Sequence, residues 1–176
     1  MSGNTFGGTQ WSDTKSVYPM LPRINPIQKC NSCGRYWFAS SAKTKQGDEV
    51  SFEKGELNFP NTKEALEQLW TDRIDAERKT TLLLSYVYAF NDQYFRNDVK
   101  EIPSNEDEEI FDKVVLSLIE SDINDTLKAE LYREAKRFGE CIEFLDSAKP
   151  VEGFEDEVRK QIYRKAQEED RKVFEI

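Results

Sequence analysis

Beyond residue 60 the chain alternates between apolar clusters at helical spacing and short polar breaks; before it no period is sustained. Ala65, Leu66, Leu69 and Trp70 recur at intervals of three and four, which predicts a first helix. Asn61 or Thr62 is its expected cap, and Glu64 completes a capping box from Asn61. A second helix is expected over about Asp75 to Arg96. Its middle, Leu82 to Phe90, is apolar nearly all round, and such a helix belongs at the centre, contacted on several sides. Ser104 should cap a third, carrying the stripe Ile110, Phe111, Val114, Val115, Leu118 and Ile119. A fourth is expected from about Asn124 to Arg137, and a fifth from the break at Gly139 to about Ala148. The sixth, about Phe154 to Lys172, sets Val158, Ile162 and Ala166 on one face and Glu, Lys and Arg on the other.

The first 60 residues read differently. Trp11, Tyr18, Met20, Leu21, Ile24 and Ile27 are scattered among turn-forming residues, as in an extended arm lying over apolar surface. Over Ile27–Ser40, Cys30-Asn31-Ser32-Cys33-Gly34 leads into Tyr36-Trp37-Phe38, which predicts two short strands joined at a tight turn. Residues 41–49 read as loop, and Val50/Phe52 and Leu57/Phe59 as short extended pieces around Gly55. The expected fold is therefore mainly α: about six helices in hairpins, with a small N-terminal knuckle or β-hairpin and an extended arm. The divisions fall at 1–46 (a loop-rich segment), 47–60 (a linker) and 61–176 (the helical domain).

Charge sharpens that division. Residues 1–46 hold six Lys or Arg against one acid, Asp13, for a net of +5. The remaining residues hold 19 basic and 33 acidic side chains, for a net of −14. The simplest consequence is a basic cap docked on an acidic body; the sharper one is a basic surface for nucleic acid. With 176 residues the chain can bury a core without disulfides or metal. No apolar run approaches the roughly 20 residues of a membrane span. The first 20 residues lack a basic start and apolar stretch, so no secretory signal is expected. Three cysteines, an odd number, suit a reducing compartment, and a cytoplasmic location is the expectation. The absence of histidine removes Ser-His-Asp and Cys-His nucleophiles and every imidazole ligand.

Two local patterns carry possible chemistry. Cys30 and Cys33, followed by Gly34, have the spacing that lets two thiolates chelate one metal without strain, with glycine permitting the turn. The pair resembles one knuckle of a zinc ribbon. Four ligands are needed for a structural zinc site, so zinc here would require a carboxylate, water or a second chain. The other readings are a metal-free knuckle kept for its turn and a redox pair, although the helix that usually follows a redox CxxC is missing. The second pattern is LKAELYREAKRFGECIEFLDSAKP, in which Ala129, Tyr132, Cys141 and Ala148 occupy the small and aromatic positions of a helical hairpin. It resembles a single tetratricopeptide repeat over 127–150, with Lys128 where leucine is usual and the later proline displaced to Pro150. Tyr132 and Ala148 are expected to be buried where the fourth and fifth helices meet, with Arg137-Phe138-Gly139-Glu140 as the turn.

The N-terminal pattern (Asn4-Thr5-Phe6-Gly7, Trp11-Ser12-Asp13, Pro19-Met20-Leu21-Pro22 and Lys29-Cys30 through Cys33-Gly34), with Ala89-Phe90-Asn91-Asp92, resembles a group of bacterial proteins of uncharacterised function. That group has one zinc-ribbon-like knuckle ahead of a helical domain. It usually has Pro where this chain has Asn31 and Gly where this chain has Thr14. The resemblance implies an intracellular bacterial protein and transfers no catalytic residues.

The leading functional expectation is a non-catalytic interaction module that presents a helical face or groove to a protein or peptide. One alternative is nucleic-acid binding through Arg35, Tyr36 and Trp37 of the knuckle, with Phe38 beside them. Another is an enzyme built on carboxylates such as Asp92, Glu106, Asp107, Glu108 and Glu109. For the knuckle itself, zinc bound by Cys30 and Cys33 would admit a zinc-bridged homodimer.

Overall fold

A computed structural model describes residues 7–18, 24–42, 57–71, 73–96 and 101–176. The chain is mainly α. Among the described residues two short antiparallel hairpins, β1 (Thr9–Gln10) with β2 (Ser16–Val17) and β3 (Ile27–Lys29) with β4 (Tyr36–Phe38), precede six α-helices. These are α1 (Phe59–Trp70), α2 (Ala76–Tyr94), α3 (Asn105–Ile119), α4 (Asp125–Glu134), α5 (Phe138–Ser147) and α6 (Phe154–Gln167). The expected pieces at Val50 and Phe52 lie outside the described residues. No helix among those described is long and apolar enough to cross a membrane.

Local chemistry explains most boundaries. The side chains of Asp75, Ser104 and Asn124 accept from the backbone N–H three residues on and cap α2, α3 and α4. At α1 the cap is Asn58, not Asn61 or Thr62, and the helix opens Phe59-Pro60. Proline fits the first turn because its missing N–H has no intrahelical partner there. Asn61 is thereby freed to accept from Lys29 and Tyr36. Leu57 and Phe59, expected as an extended piece, instead lead into α1, where Phe59 is buried.

The main core gathers α1, α2, α3 and the β3–β4 hairpin. Its centre is aromatic: Phe90 on α2 stacks on Phe111 of α3 at 4.1 Å, and Phe59, Tyr86 and Tyr94 surround it. The expected central helix is therefore α2. A second core joins Ala129 and Cys141 to Val158, Ile162 and Ala166. Helix α4 lies between the two, giving Leu127 and Leu131 to the first and Ala129 to the second.

Three expectations about the C-terminal half are corrected. The turn after α4 is Ala135–Arg137, where Lys136 takes φ +60° and the Arg137 N–H reaches back to the Tyr132 carbonyl at 2.9 Å. That left-handed residue closes the helix as glycine commonly does, while Gly139 lies inside α5. Tyr132 and Ala148 are only half-buried, because Ala148 is the residue beyond the end of α5; Ala129 and Cys141 are the sealed small positions. Helix α6 stops at Gln167, five residues short of Lys172, because the chain turns at Glu169 (φ +53°). Val173 and Phe174 then pack back on the body.

The packing predicts a contrast. Ala129→Leu should cost about 1–3 kcal/mol by overpacking the α4–α5–α6 contact. Ala148→Leu should stay within about 0.5 kcal/mol of the parent, as expected of a position outside the core. Urea unfolding of both variants measures the difference, and equal losses would refute the placement.

Candidate functional site

Three features emerge from the side chains: the cysteine knuckle, a groove between α1 and α3, and a buried charge cluster that joins the arm to the body.

The knuckle is the turn of the β3–β4 hairpin. The Cys30 N–H donates to the Arg35 carbonyl at 2.8 Å, the Gly34 N–H donates to the Cys30 carbonyl at 2.7 Å, and Gly34 takes φ +72°. Hydrogen bonding from the backbone of Cys33, then of Ser32, holds the Cys30 thiol below its usual range. Residues 31–35 are all exposed and Cys30 is half-exposed. The third cysteine differs in every respect. Cys141 is sealed in the second core, and burial pushes its thiol up to about 12. Among the described residues no group of three or more acidic or cysteine side chains could hold a metal ion.

The hairpin is fixed to α1 rather than projecting freely. The Gln68 side chain pairs with both backbone groups of Tyr36, accepting from its N–H and donating to its carbonyl at 3.0 Å each, as a neighbouring strand would. Tyr36 is buried, and its hydroxyl donates to Glu64 at 2.9 Å. Lys29 pairs with the same carboxylate at 2.9 Å. Arg35 is exposed and Trp37 half-buried, so the three residues considered for nucleic acid form no common open face.

The groove runs between Lys63, Leu66, Glu67, Trp70 and Thr71 of α1 and its end and Ile110, Lys113 and Val114 of α3, with a volume of about 320 Å³. Lys63 bridges the helices to Asp107 at 2.6 Å. Trp70 is 43% exposed, a large apolar side chain left open on the surface. Lys79 of α2 lies over its ring at 5.4 Å, and sequence periodicity, which placed Trp70 on the helix, could not show how much of it would stay open.

The third feature escaped sequence reading. Asp13, the one acid of the first 46 residues, is fully buried, and it accepts from Arg96 Nη2 at 2.5 Å and from Asn91 Nδ2 at 3.0 Å. The other Asn91 amide hydrogen goes to Glu134 at 2.9 Å, so one amide joins two buried carboxyl groups. Arg96 stacks on Trp11 at 4.5 Å and bonds Asp92, which also pairs with Lys15. Next to Glu134 on α4, Arg133 makes a two-point contact with Glu130, one turn back, at 2.8 and 2.5 Å, both residues fully buried. Arg171 joins Glu108 to the carbonyl of Glu134. The basic segment does meet the acidic body, at Lys15–Asp92 and Lys29–Glu64, but its most buried anchor has the opposite polarity. The carboxylates considered for catalysis are largely committed: Asp92 to Lys15 and Arg96, Asp107 to Lys63, Tyr94 and Ser104, and Glu108 to Arg171 and Lys136.

Burial, with Glu130 and Asp13 nearby, raises the Glu134 carboxyl well above its ordinary value; the Asn91 hydrogen bond and Arg133 only partly oppose this. No family model, no characterised protein and no solved structure gives a significant match to this chain.

Two outcomes test the cluster. Asp13→Ala leaves Arg96 buried beside one half-exposed partner and should cost about 3–5 kcal/mol. A loss below about 1 kcal/mol in denaturant unfolding would show that the pair is dispensable. For Glu134, the native protein holds a proton that the unfolded chain releases near pH 4.5. Stability should therefore fall as pH rises from there toward the raised native value. Glu134→Gln should flatten that slope while matching the parent below pH 4.5, and an unchanged slope in a pH series of unfolding curves would refute the assignment.

Proposed function

We propose that the protein is a non-catalytic interaction module whose α1–α3 groove receives an apolar segment of a partner protein or peptide. The observation that carries this reading is the open Trp70 beside Leu66, Ile110 and Val114. Lys63 to Thr71 spans about two helical turns, or roughly 12 Å, which matches the i, i+3, i+4 and i+7 anchors of an amphipathic helix. Exposed large aromatics in such grooves commonly carry a large share of binding energy.

The engaged carboxylates favour this reading over carboxylate catalysis. The pairing of Lys15 and Lys29 with acids, together with the burial of Tyr36, favours it over nucleic-acid binding at the knuckle. Membership of the bacterial group whose knuckle this chain resembles belongs to the same proposal and specifies no partner.

Peptides selected from a displayed library on the immobilised full chain are expected to show apolar residues at helical spacing. Their affinity should fall at least about tenfold in Trp70→Glu and Ile110→Lys, a change of about 1.4 kcal/mol or more. Circular dichroism should be unchanged in both variants. Selected peptides indifferent to both substitutions would place binding elsewhere.

A further inference from the structure

We propose that Cys30 and Cys33 form half of a zinc site, completed by the same two residues of a second copy of this chain, so that one Zn²⁺ joins two hairpin tips. The inference is independent of the groove.

The turn places Cys30 and Cys33 three residues apart at the tip of the hairpin, Cys33 exposed and Cys30 half-exposed, the spacing at which two thiolates take one metal ion. The turn is held by the two backbone hydrogen bonds between Cys30 and residues 34 and 35 and by the left-handed Gly34, so little ordering is left to be done on binding. Gln68 and Glu64 of α1 fix the strands behind it. The site is preorganised.

The same geometry shows why one chain is insufficient. A closed structural zinc takes four ligands in a tetrahedron, with sulfurs about 2.3 Å from the ion. Among the described residues no third metal-binding side chain joins the pair. Cys141 is sealed in the second core, and Asp13 is consumed by Arg96 and Asn91. A second copy of the chain supplies two further thiolates.

Access and charge both permit that approach. Residues 31–35 are exposed and Cys30 is half-exposed, which leaves the tip of the turn open to approach. Four thiolates on Zn²⁺ leave two net negative charges. The exposed Arg35 of each copy, beside the turn, supplies the compensating cations in a chain whose net charge of −9 would otherwise oppose pairing. Arg35 thus acts as a charge-compensating residue for the site. Each thiol that enters the shell gives up its proton, so zinc uptake releases acid.

The test uses the full chain, reduced and purified without chelator, titrated with Zn²⁺ alone. Expected are an endpoint at half an ion per chain, a doubling of mass by light scattering, and reversal of both by chelator. Co²⁺ in place of Zn²⁺ should give the visible spectrum of a tetrahedral tetrathiolate. Cys33→Ser should lose the metal-dependent dimer and that spectrum with unchanged circular dichroism, as should Cys30→Ser, while Arg35→Glu should weaken zinc uptake. One tightly held ion in a monomer, a dimer insensitive to chelator and to Cys33→Ser, or no uptake at micromolar free zinc would each overturn the proposal; the last would leave the pair as a dithiol only.

Discussion

Helix α4 lies between the two hydrophobic cores, and the structure depends on how its buried charges are met. Glu130, Arg133 and Glu134 are all fully buried within ten residues that separate two hydrophobic cores. Each buried ion costs several kcal/mol unless it is paired with good geometry. Glu130 and Arg133 satisfy one another across a single helical turn. Glu134 cannot be met locally. Burial and neighbouring acids keep its carboxyl protonated to higher pH, and its one side-chain donor is Asn91, from the last turn of α2.

This requirement organises the parts of the chain farthest apart in sequence. Asn91 spends its second amide hydrogen on Asp13, Asp13 fixes Arg96, and Arg96 lies on Trp11. From the other direction Arg133 reaches the Asp170 carbonyl, while Arg171 caps the Glu134 carbonyl and pairs with Glu108. Residues 10–12 and 174–176 then exchange backbone hydrogen bonds, and Trp11 bridges to Glu175. The arm, α2, α4 and the final segment are thus held through one connected set of polar contacts. Interior charges with these structural duties are poor candidates for chemistry. Folding leaves other groups accessible: the half-exposed Cys30 and exposed Cys33 of the hairpin turn, and Trp70, which stays partly open with Lys79 over its ring.

The two surfaces differ in how they are made. The knuckle is a local object: five residues, two backbone hydrogen bonds and one left-handed glycine define it, so its spacing was visible in the sequence. The groove is a product of packing. Its walls come from α1 and α3, which both rest on α2 and are tied by Lys63 and Asp107. Each helix alone shows only an apolar stripe, and nothing in either stripe reveals which part of it a neighbour will leave open.

Local interactions account for what the sequence determined by itself. Asp75, Ser104 and Asn124 cap their helices with their own side chains, the apolar run of α2 marks it as central, and CxxCG followed by aromatics makes a hairpin. In each case the interacting residues lie within a few positions of one another. The sequence misled where local choices were nearly equal or were outweighed by distant contacts. Asn58 rather than Asn61 caps α1, and Asn61 meets Lys29 and Tyr36. Lys136 rather than Gly139 makes the turn after α4, and α6 ends early because Val173 and Phe174 have a core to return to. The burial of Glu130, Arg133 and Glu134 was least legible of all, since acids and bases at helical spacing usually mark a solvated face. Only the tertiary structure decided otherwise, because a charge is tolerated inside when its partners converge from α2, the arm and the final segment, and that convergence is a property of the folded chain.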